Sequence, residues 1–221
     1  LLEALAGHVA GASGEARRKD VEARKAAWLQ KLAVWDHEED DAGSTWNARA
    51  RAEEPGKLSP RQALRAIQQG LPRNAMVSTD IGNVCAMANS YLRFEEPRSF
   101  LAPGMFGNCG YAFPAILGAK VARPDRPAVA LAGDGAFGIG MNELPTCARM
   151  QIPATIVVFR NGQWGAEKKN DILWFGERFV GTELGDDFSW ADVARSFGLD
   201  GVRATRMPEL TEAVAAACAA Q

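Results

Sequence analysis

The fold class follows from one stretch of the sequence, residues 128–135, which reads AVALAGDG. The five apolar residues at its start predict a short strand, and the two glycines around Asp134 predict the turn that ends it. Because the run has no polar face, we expect both of its sides to be covered, as in a parallel sheet with helices on each side.

Two similar apolar runs also end in polar, glycine-containing segments. Residues 75–79 read AMVST and lead into DIGN, and residues 155–159 read TIVVF and lead into RNG. A further strand is predicted near Val202. Helical patterns occupy the segments between and around the strands, at 60–70, 110–121, 141–150, 190–197 and 208–220. The alternation predicts an α/β fold, a doubly wound parallel sheet with helices on both faces.

The first 56 residues differ in composition from the rest and predict a helical segment followed by a linker. Apolar residues recur at helical spacing in a charged stretch, which predicts an amphipathic helix over 15–35. These residues are Val21, Trp28, Leu32 and Trp35. The acidic run 36–41 is interpreted as a solvated linker, with a metal site as the alternative. We therefore expect 1–56 to be the tail of a preceding domain with its linker, and 57–221 to be a C-terminal domain.

The composition excludes several classes of protein. The 221 residues carry a formal net charge of −2, with a pI of about 5.8, so they lack the basic footprint of a nucleic-acid binder. No run approaches the roughly 18 apolar residues that span a bilayer, and no signal peptide is visible. Four scattered cysteines predict free thiols in a cytoplasmic protein. Because the first residue is Leu rather than Met, we expect a part of a longer protein.

The glycines after the 128–132 strand raise the question of a dinucleotide site. Gly133, Gly135 and Gly138 match the spacing of the dinucleotide fingerprint. However, the charge of Asp134 inside that loop would repel a pyrophosphate. The next strand also ends without the acid that holds a ribose hydroxyl, so this interpretation is disfavoured.

A carboxylate beside a diphosphate is favourable when a divalent cation lies between them. Mg²⁺ takes hard oxygen ligands and commonly shares them with phosphates. We predict that the carboxylate of Asp134, the amide oxygen of Asn161 and the backbone carbonyl of Gln163 hold such an ion. The spacing alone leaves open the alternative that Asp134 and Asn161 only shape turns.

A Gly-Asp-Gly motif followed by Asn161, 27 residues after Asp134, resembles the thiamine diphosphate and magnesium motif of the acetohydroxyacid synthase superfamily. Residues 78–83 resemble the diphosphate loop of that family, and residues 106–114 resemble its pyrimidine-binding turn. The resemblance covers about 57–221. It implies a thiamine diphosphate-binding fold, with thiamine diphosphate and Mg²⁺ as cofactors.

Several segments resemble one branch of this superfamily, which transfers an acetyl group from sulfoacetaldehyde to phosphate and releases sulfite. The most unusual of them, 163–170, reads QWGAEKKN. The others are 46–51, 77–83, 91–94 and 106–111. Two alternatives stay open: another branch, such as the acetolactate synthases, and a module that binds the cofactor without turnover.

The resemblance also implies roles for individual residues. The carbonyl of Gly107 would accept a hydrogen bond from the 4′-amino group of the cofactor. Cys109 would lie beneath the bent cofactor, where relatives often carry a larger Met or Leu. Three strand-end segments would contact the phosphates: Ile81, Gly82 and Asn83; Gly135 and Ala136; and Trp164, Gly165 and Ala166.

No catalytic acid or base of the superfamily is expected within this chain. The resemblance implies that the activating glutamate comes from the N-terminal domain of a second subunit. We therefore expect a homodimer or homotetramer with its active site at a subunit interface, and an inactive chain in isolation. Arg160 and Lys168 are candidates for binding the sulfonate or the phosphate, and ordinary solvated charges are the alternative.

Overall fold

The computed structural model describes residues 14–37, 58–185 and 187–221, with side chains described from residue 58 onward and over 14–33. Contacts within the chain divide it into two compact units, Leu1–Pro55 and Gly56–Gln221. The division falls one residue before the boundary predicted from the sequence. Each unit is described by itself below.

The first unit contains helix α1, Gly14–His37, which confirms the predicted helix. Ion pairs one turn apart support it: Lys19 Nζ lies 3.1 Å from a carboxylate oxygen of Glu15. Of the predicted apolar positions, Leu32 is buried, whereas Val21 and Trp28 are exposed. The Trp35 side chain and the linker from residue 38 to residue 57 lie outside the described residues.

A parallel sheet forms the centre of the second unit. Its strands are β1 (Met76–Thr79), β2 (Phe100–Leu101), β3 (Ala128–Gly133) and β4 (Thr155–Phe159). They lie in the order β2-β1-β3-β4, and every neighbouring pair is parallel. The strands predicted at 75–79, 128–132 and 155–159 are confirmed, each to within one residue.

Helices cover both faces of this sheet. Those that pack on it or extend from its strands are α2 (Pro60–Gly70), α3 (Asn83–Tyr91), α4 (Ala112–Ala122), α5 (Asp134–Gly140), α6 (Leu144–Met150), α7 (Gly165–Trp174), α8 (Trp190–Ser196) and α9 (Met207–Ala219). Alternate residues of β3 enter two separate cores. Ala130 packs with Ile116 of α4, and Leu131 packs with Leu64 of α2 and Val214 of α9. The doubly wound α/β fold predicted from the sequence is confirmed.

Helix α2 begins as the sequence predicts. The Gln62 backbone N–H donates to Ser59 Oγ at 3.2 Å, and the Ser59 N–H donates to Gln62 Oε1 at 3.0 Å. Pro60 then occupies the first helical position, where no backbone donor is needed. This capping box fixes the entry of the chain into the second unit.

The strand predicted near Val202 is wrong. Within the described residues, the segment 199–206 forms no strand, and the Val202 side chain is 70% exposed. A Cβ atom added to Gly201 would lie 2.2 Å from the Ala191 carbonyl oxygen, so this segment packs against α8 instead of the sheet. The predicted helix 141–150 also differs, because Met141–Glu143 forms a 3₁₀ turn before α6.

The remaining general features agree with the composition. All four cysteines are free thiols, with Cys147 and Cys218 buried. No helix in the described parts of the chain combines the length and the apolar character that crossing a bilayer requires.

Candidate functional site

The polar strand ends converge where the chain changes direction across the sheet. From β1 the chain runs outward to β2 and then returns to β3, on the other side of β1. Doubly wound sheets bind ligands at such a switch point, beyond the carboxyl ends of the strands. Asp80 directly follows β1, Asp134 directly follows β3, and Asn161 follows β4 with one residue, Arg160, between them.

Asp134 is a buried carboxylate held by backbone donors. It is 5% exposed, and its Oδ1 accepts a hydrogen bond from the Gly135 N–H at 3.0 Å. Its Oδ2 accepts from the N–H groups of Asn161, at 3.1 Å, and Gly162, at 2.6 Å. Burial raises the pKa of Asp134, and these hydrogen bonds offset only part of the rise. A cation at this carboxylate would relieve the remaining desolvation cost.

Three oxygen atoms, one each from Asp134, Asn161 and Gln163, lie close together. The Asn161 side-chain oxygen lies 3.2 Å from Asp134 Oδ1 and 2.9 Å from the Gln163 carbonyl oxygen. The Gln163 N–H donates to the same Asn161 oxygen at 3.3 Å. Turned over, the Asn161 amide would instead donate its nitrogen to the other two oxygens. The repulsion among the three oxygens can therefore be relieved in two ways. Either a cation binds between them, or the Asn161 amide turns over and donates its nitrogen to the other two oxygens.

The two separations about the Asn161 oxygen, 3.2 and 2.9 Å, match the edges of an octahedral cation site. Ligands about 2.1 Å from Mg²⁺ lie about 3.0 Å apart along an octahedral edge. The described residues contain no group of three or more His, Cys, Asp or Glu side chains that could hold a metal. The donors here are one carboxylate, one amide and one carbonyl. The structure brings the three predicted ligands Asp134, Asn161 and Gln163 together, and their metal role stays a prediction.

The predicted phosphate contacts surround this cluster. Gly82 has φ +105° at the start of α3, and a Cβ atom added there would meet nothing within 4 Å. A Cβ atom on Gly165 would lie 3.0 Å from Asn161 Nδ2 and 3.5 Å from Asn83 Nδ2. The starts of α3 and α7 therefore lie close to one another and to Asn161. The first N–H groups of a helix have no carbonyl partner within it, so they suit an anionic ligand.

Two of the predicted phosphate-contact segments, at the starts of α5 and α7, pack directly against each other. A Cβ atom added to Gly135 would lie 2.9 Å from ring atoms of Trp164. Gly135 and the buried Ala136 form the first turn of α5, and Trp164 directly precedes α7 with Gly165 and Ala166 in its first turn. Only a residue without a side chain allows α5 to approach the Trp164 indole this closely.

The loop predicted to hold the pyrimidine is tied to the same site by Asp80, a residue that sequence reasoning did not single out. The Asp80 side chain is 1% exposed. Its Oδ1 accepts from the Gly110 N–H at 2.9 Å, and its Oδ2 accepts from the Ala112 N–H at 3.0 Å. The sequence does contain a signal for this role, because Asp80 lies between an apolar strand and the glycine-containing segment 81–83. Asp80 fixes the loop that carries Gly107 and Cys109.

Gly107 and Cys109 are both half-buried residues of that loop. Gly107 has φ +63°, and a Cβ atom added there would lie 3.8 Å from Ile81. Cys109 is half-buried, and burial together with the negative charge of Asp80 and Glu167 raises the pKa of its thiol. The side chain is therefore a neutral, small contact surface and not a thiolate nucleophile.

The two candidate substrate-binding cations differ in their surroundings. Arg160 is half-buried at the end of β4. The Lys168 ammonium forms an ion pair with the Glu183 carboxylate and lies 4.9 Å from the centroid of the Phe179 ring. The positive charge of Lys168 is thus already matched within the chain. The role of Arg160 and Lys168 in binding a substrate anion stays a prediction.

Residues 80–221 match the model of a protein family described as the thiamine pyrophosphate enzyme, C-terminal TPP binding domain. The chain belongs to this family. Thiamine pyrophosphate (TPP) is the thiamine diphosphate that the sequence predicts. The switch-point site of this TPP-binding domain contains the Gly82, Asp134 and Asn161 segments described above.

Sequence identity to individual curated proteins differs between two groups of relatives. The chain is 53% identical to the sulfoacetaldehyde acetyltransferase of Roseovarius nubinhibens over 97% of its length, and 56% identical to that of Rhodobacter capsulatus over 89%. It is 30% identical to the acetolactate synthase of Mycobacterium avium over 84% of its length. It spans 36%, 34% and 31% of these three relatives, respectively, which is about a third of their length.

A solved structure agrees with the fold. The thiamine diphosphate-dependent 4-hydroxybenzoylformate decarboxylase of Rhodococcus jostii RHA1 matches this TPP-binding domain with a TM-score of 0.70 and 25% identity. The match covers 75% of this chain and 31% of that chain.

Proposed function

We propose that this chain is the diphosphate-binding part of a TPP- and Mg²⁺-dependent sulfoacetaldehyde acetyltransferase. The reaction would convert sulfoacetaldehyde and phosphate into acetyl phosphate and sulfite. The observation that carries the proposal is the contrast in identity: 53% to a sulfoacetaldehyde acetyltransferase against 30% to an acetolactate synthase. Relatives of both kinds share the TPP chemistry, so the contrast bears on the substrate.

Mg²⁺ would bind the three oxygens of Asp134, Asn161 and Gln163. Their separations of 3.2 and 2.9 Å about the Asn161 oxygen support an octahedral ion whose remaining positions are open to the cofactor diphosphate. The raised pKa of buried Asp134 supports the same assignment, since a cation stabilises the charged carboxylate. The N–H groups at the starts of α3 and α7 would donate to the remaining phosphate oxygens.

The other residues of the site would orient the organic part of the cofactor. When bound, TPP supplies a carbon nucleophile for the aldehyde, which side chains do not provide. Asp80 holds the 107–112 loop, so that Gly107 and Cys109 would face the aminopyrimidine end. Arg160 would stabilise the sulfonate or the incoming phosphate by charge.

The complete enzyme would be a cytoplasmic homodimer or homotetramer. Met105 and Phe106, next to Gly107, are almost fully exposed, which supports a covering surface beside the site. The activating glutamate would come from that surface, in the N-terminal domain of a second subunit. No residue of this chain is assigned as the acid.

The substrate assignment is tested by assaying the intact protein with TPP and Mg²⁺. We expect sulfite release from sulfoacetaldehyde only when phosphate is supplied, with acetyl phosphate formed in equal amount. Acetolactate formation from pyruvate without sulfite release would contradict the substrate assignment and leave the cofactor assignment intact. Cofactor binding without either reaction would indicate a non-catalytic module.

A further inference from the structure

We propose that Lys168 and Glu183 are positioning residues for the divalent cation, acting through the backbone of Gln163. The inference rests on the proposed function, because it concerns the Mg²⁺ site assigned there. It gives Lys168 a different role from the substrate contact predicted from the sequence. The argument begins with the backbone pairing of two short segments, 162–164 and 182–184.

These segments form a small antiparallel pair beside the site. The Trp164 N–H donates to the Thr182 carbonyl at 2.8 Å, and the Leu184 N–H donates to the Gly162 carbonyl at 2.8 Å. Gln163 and Glu183 are thus directly opposite one another, in an isolated antiparallel bridge. Both hydrogen bonds use the residues that flank Gln163.

This pattern sets the direction of the Gln163 carbonyl. In an antiparallel pair, the N–H and C=O groups of a residue at a non-hydrogen-bonded position point away from the partner segment. The Gln163 N–H and C=O accordingly both lie next to the Asn161 side-chain oxygen, at 3.3 and 2.9 Å. Pairing with 182–184 therefore aims the Gln163 carbonyl at the oxygen cluster.

The Lys168–Glu183 ion pair links helix α7 to the 182–184 segment and so stabilises its pairing with 162–164. Lys168 lies one turn into α7, where its N–H donates to the Trp164 carbonyl at 2.8 Å. Its ammonium group reaches across to the carboxylate of Glu183, the residue opposite Gln163. The Lys168 side chain is 16% exposed and the Glu183 side chain is 59% exposed, so the ammonium end of the pair is shielded from solvent while the carboxylate end is open to it.

Glycines on both sides of 182–184 make the backbone of this segment depend on contacts with its neighbours. Gly181 and Gly185 flank the segment with φ +72° and +75°, conformations that only glycine adopts freely. Two backbone hydrogen bonds and the Lys168–Glu183 ion pair are among the described contacts that hold 182–184 against 162–164. Loss of the ion pair would let the Gln163 carbonyl depart from the ligand position.

The test measures the Mg²⁺ concentration that gives half-maximal TPP binding to the intact protein, by calorimetry without substrate. We expect Lys168→Met and Glu183→Gln each to raise this concentration about 10-fold, the usual effect of losing an outer-shell partner. The charge-swapped double variant, Lys168→Glu with Glu183→Lys, should recover most of the loss, which a general loss of stability would not do. Asp125→Asn, which breaks the exposed Arg123–Asp125 ion pair, is the matched control and should have no effect.

The outcomes separate this inference from the proposed function. Unchanged Mg²⁺ dependence in both single variants would overturn the positioning role. So would a Lys168→Met variant that raises only the KM for phosphate or sulfoacetaldehyde, while Glu183→Gln, which frees the lysine, lowers it. If TPP binding to the unaltered protein needs no divalent cation, the proposed function fails first and this inference fails with it.

Discussion

The Asp134→Asn variant is expected to lose Mg²⁺-dependent binding of TPP. The substitution keeps the volume of the side chain and removes its charge, so the cation would lose its only anionic ligand among the three proposed donors. Loss of outer-shell partners typically weakens metal binding about 10- to 100-fold, so loss of this direct ligand should cost about 100-fold or more. Titration calorimetry of TPP into the intact protein, repeated over a series of Mg²⁺ concentrations up to the one that saturates the unaltered protein, measures the effect directly.

The matched control for this prediction is Asp200→Asn. Asp200 is an exposed aspartate in the segment between α8 and α9, outside the strand-end site. The Asp200→Asn variant should bind TPP with the same affinity and Mg²⁺ dependence as the unaltered protein. TPP binding of unchanged affinity and unchanged Mg²⁺ dependence in Asp134→Asn would remove the carboxylate from the metal site.

The Asp80→Ala variant is expected to unfold at a markedly lower temperature. The substitution removes the acceptor of the half-buried Gly110 N–H and the buried Ala112 N–H, at 2.9 and 3.0 Å. Leaving buried donors unsatisfied costs about 1–3 kcal/mol each, so we expect a loss of about 3 kcal/mol. For a domain of this size that lowers the thermal midpoint by about 10 °C.

Calorimetric melting of the intact protein checks this expectation, with Asp200→Ala as the exposed control. Asp80→Ala should also bind TPP more weakly than the control, because the loop bearing Gly107 is no longer tied to β1. A midpoint equal to that of the control would contradict the expectation and show that water or another acceptor satisfies the two N–H groups.

The central strands and most helices could be predicted because their signals are local. The run 128–132 is apolar on both faces and buries both faces, and the Ser59-Pro60 start of α2 carries its own capping groups. The two-residue strand β2 has too short a pattern to be recognised. Near Val202 the sequence predicts a strand that the structure does not contain among the described residues 199–206. A single valine between Gly201 and Arg203 gives no alternation of apolar and polar residues that could distinguish a strand from a loop.

Helix α5 illustrates how tertiary contacts override propensity. Its sequence, DGAFGIG, contains three glycines and predicts a loop. The backbone nevertheless turns into a helix directly at Asp134, where Gly135 packs against Trp164. The close contact of the two segments depends on residues 29 positions apart, which no local pattern reports.

The site divides in the same way. Asp134, Asn161 and Gln163 could be selected because each follows a recognisable strand at the same sheet edge. The partner of Lys168 could not, since Glu183 is 15 residues away and lies opposite Gln163 only after the 162–164 and 182–184 segments pair. The sequence offers Lys168 as a candidate substrate contact, and only the fold reveals its internal partner.

The location of the divalent cation tests the account most directly. A crystal of the intact protein grown with TPP and Mn²⁺, which accepts the same oxygen ligands as Mg²⁺, allows the metal to be located by anomalous scattering. We expect one peak within about 2.3 Å of the Asp134 carboxylate, the Asn161 amide oxygen and the Gln163 carbonyl. Bound TPP with no peak there, and with the Asn161 amide nitrogen turned toward Asp134, would contradict the account.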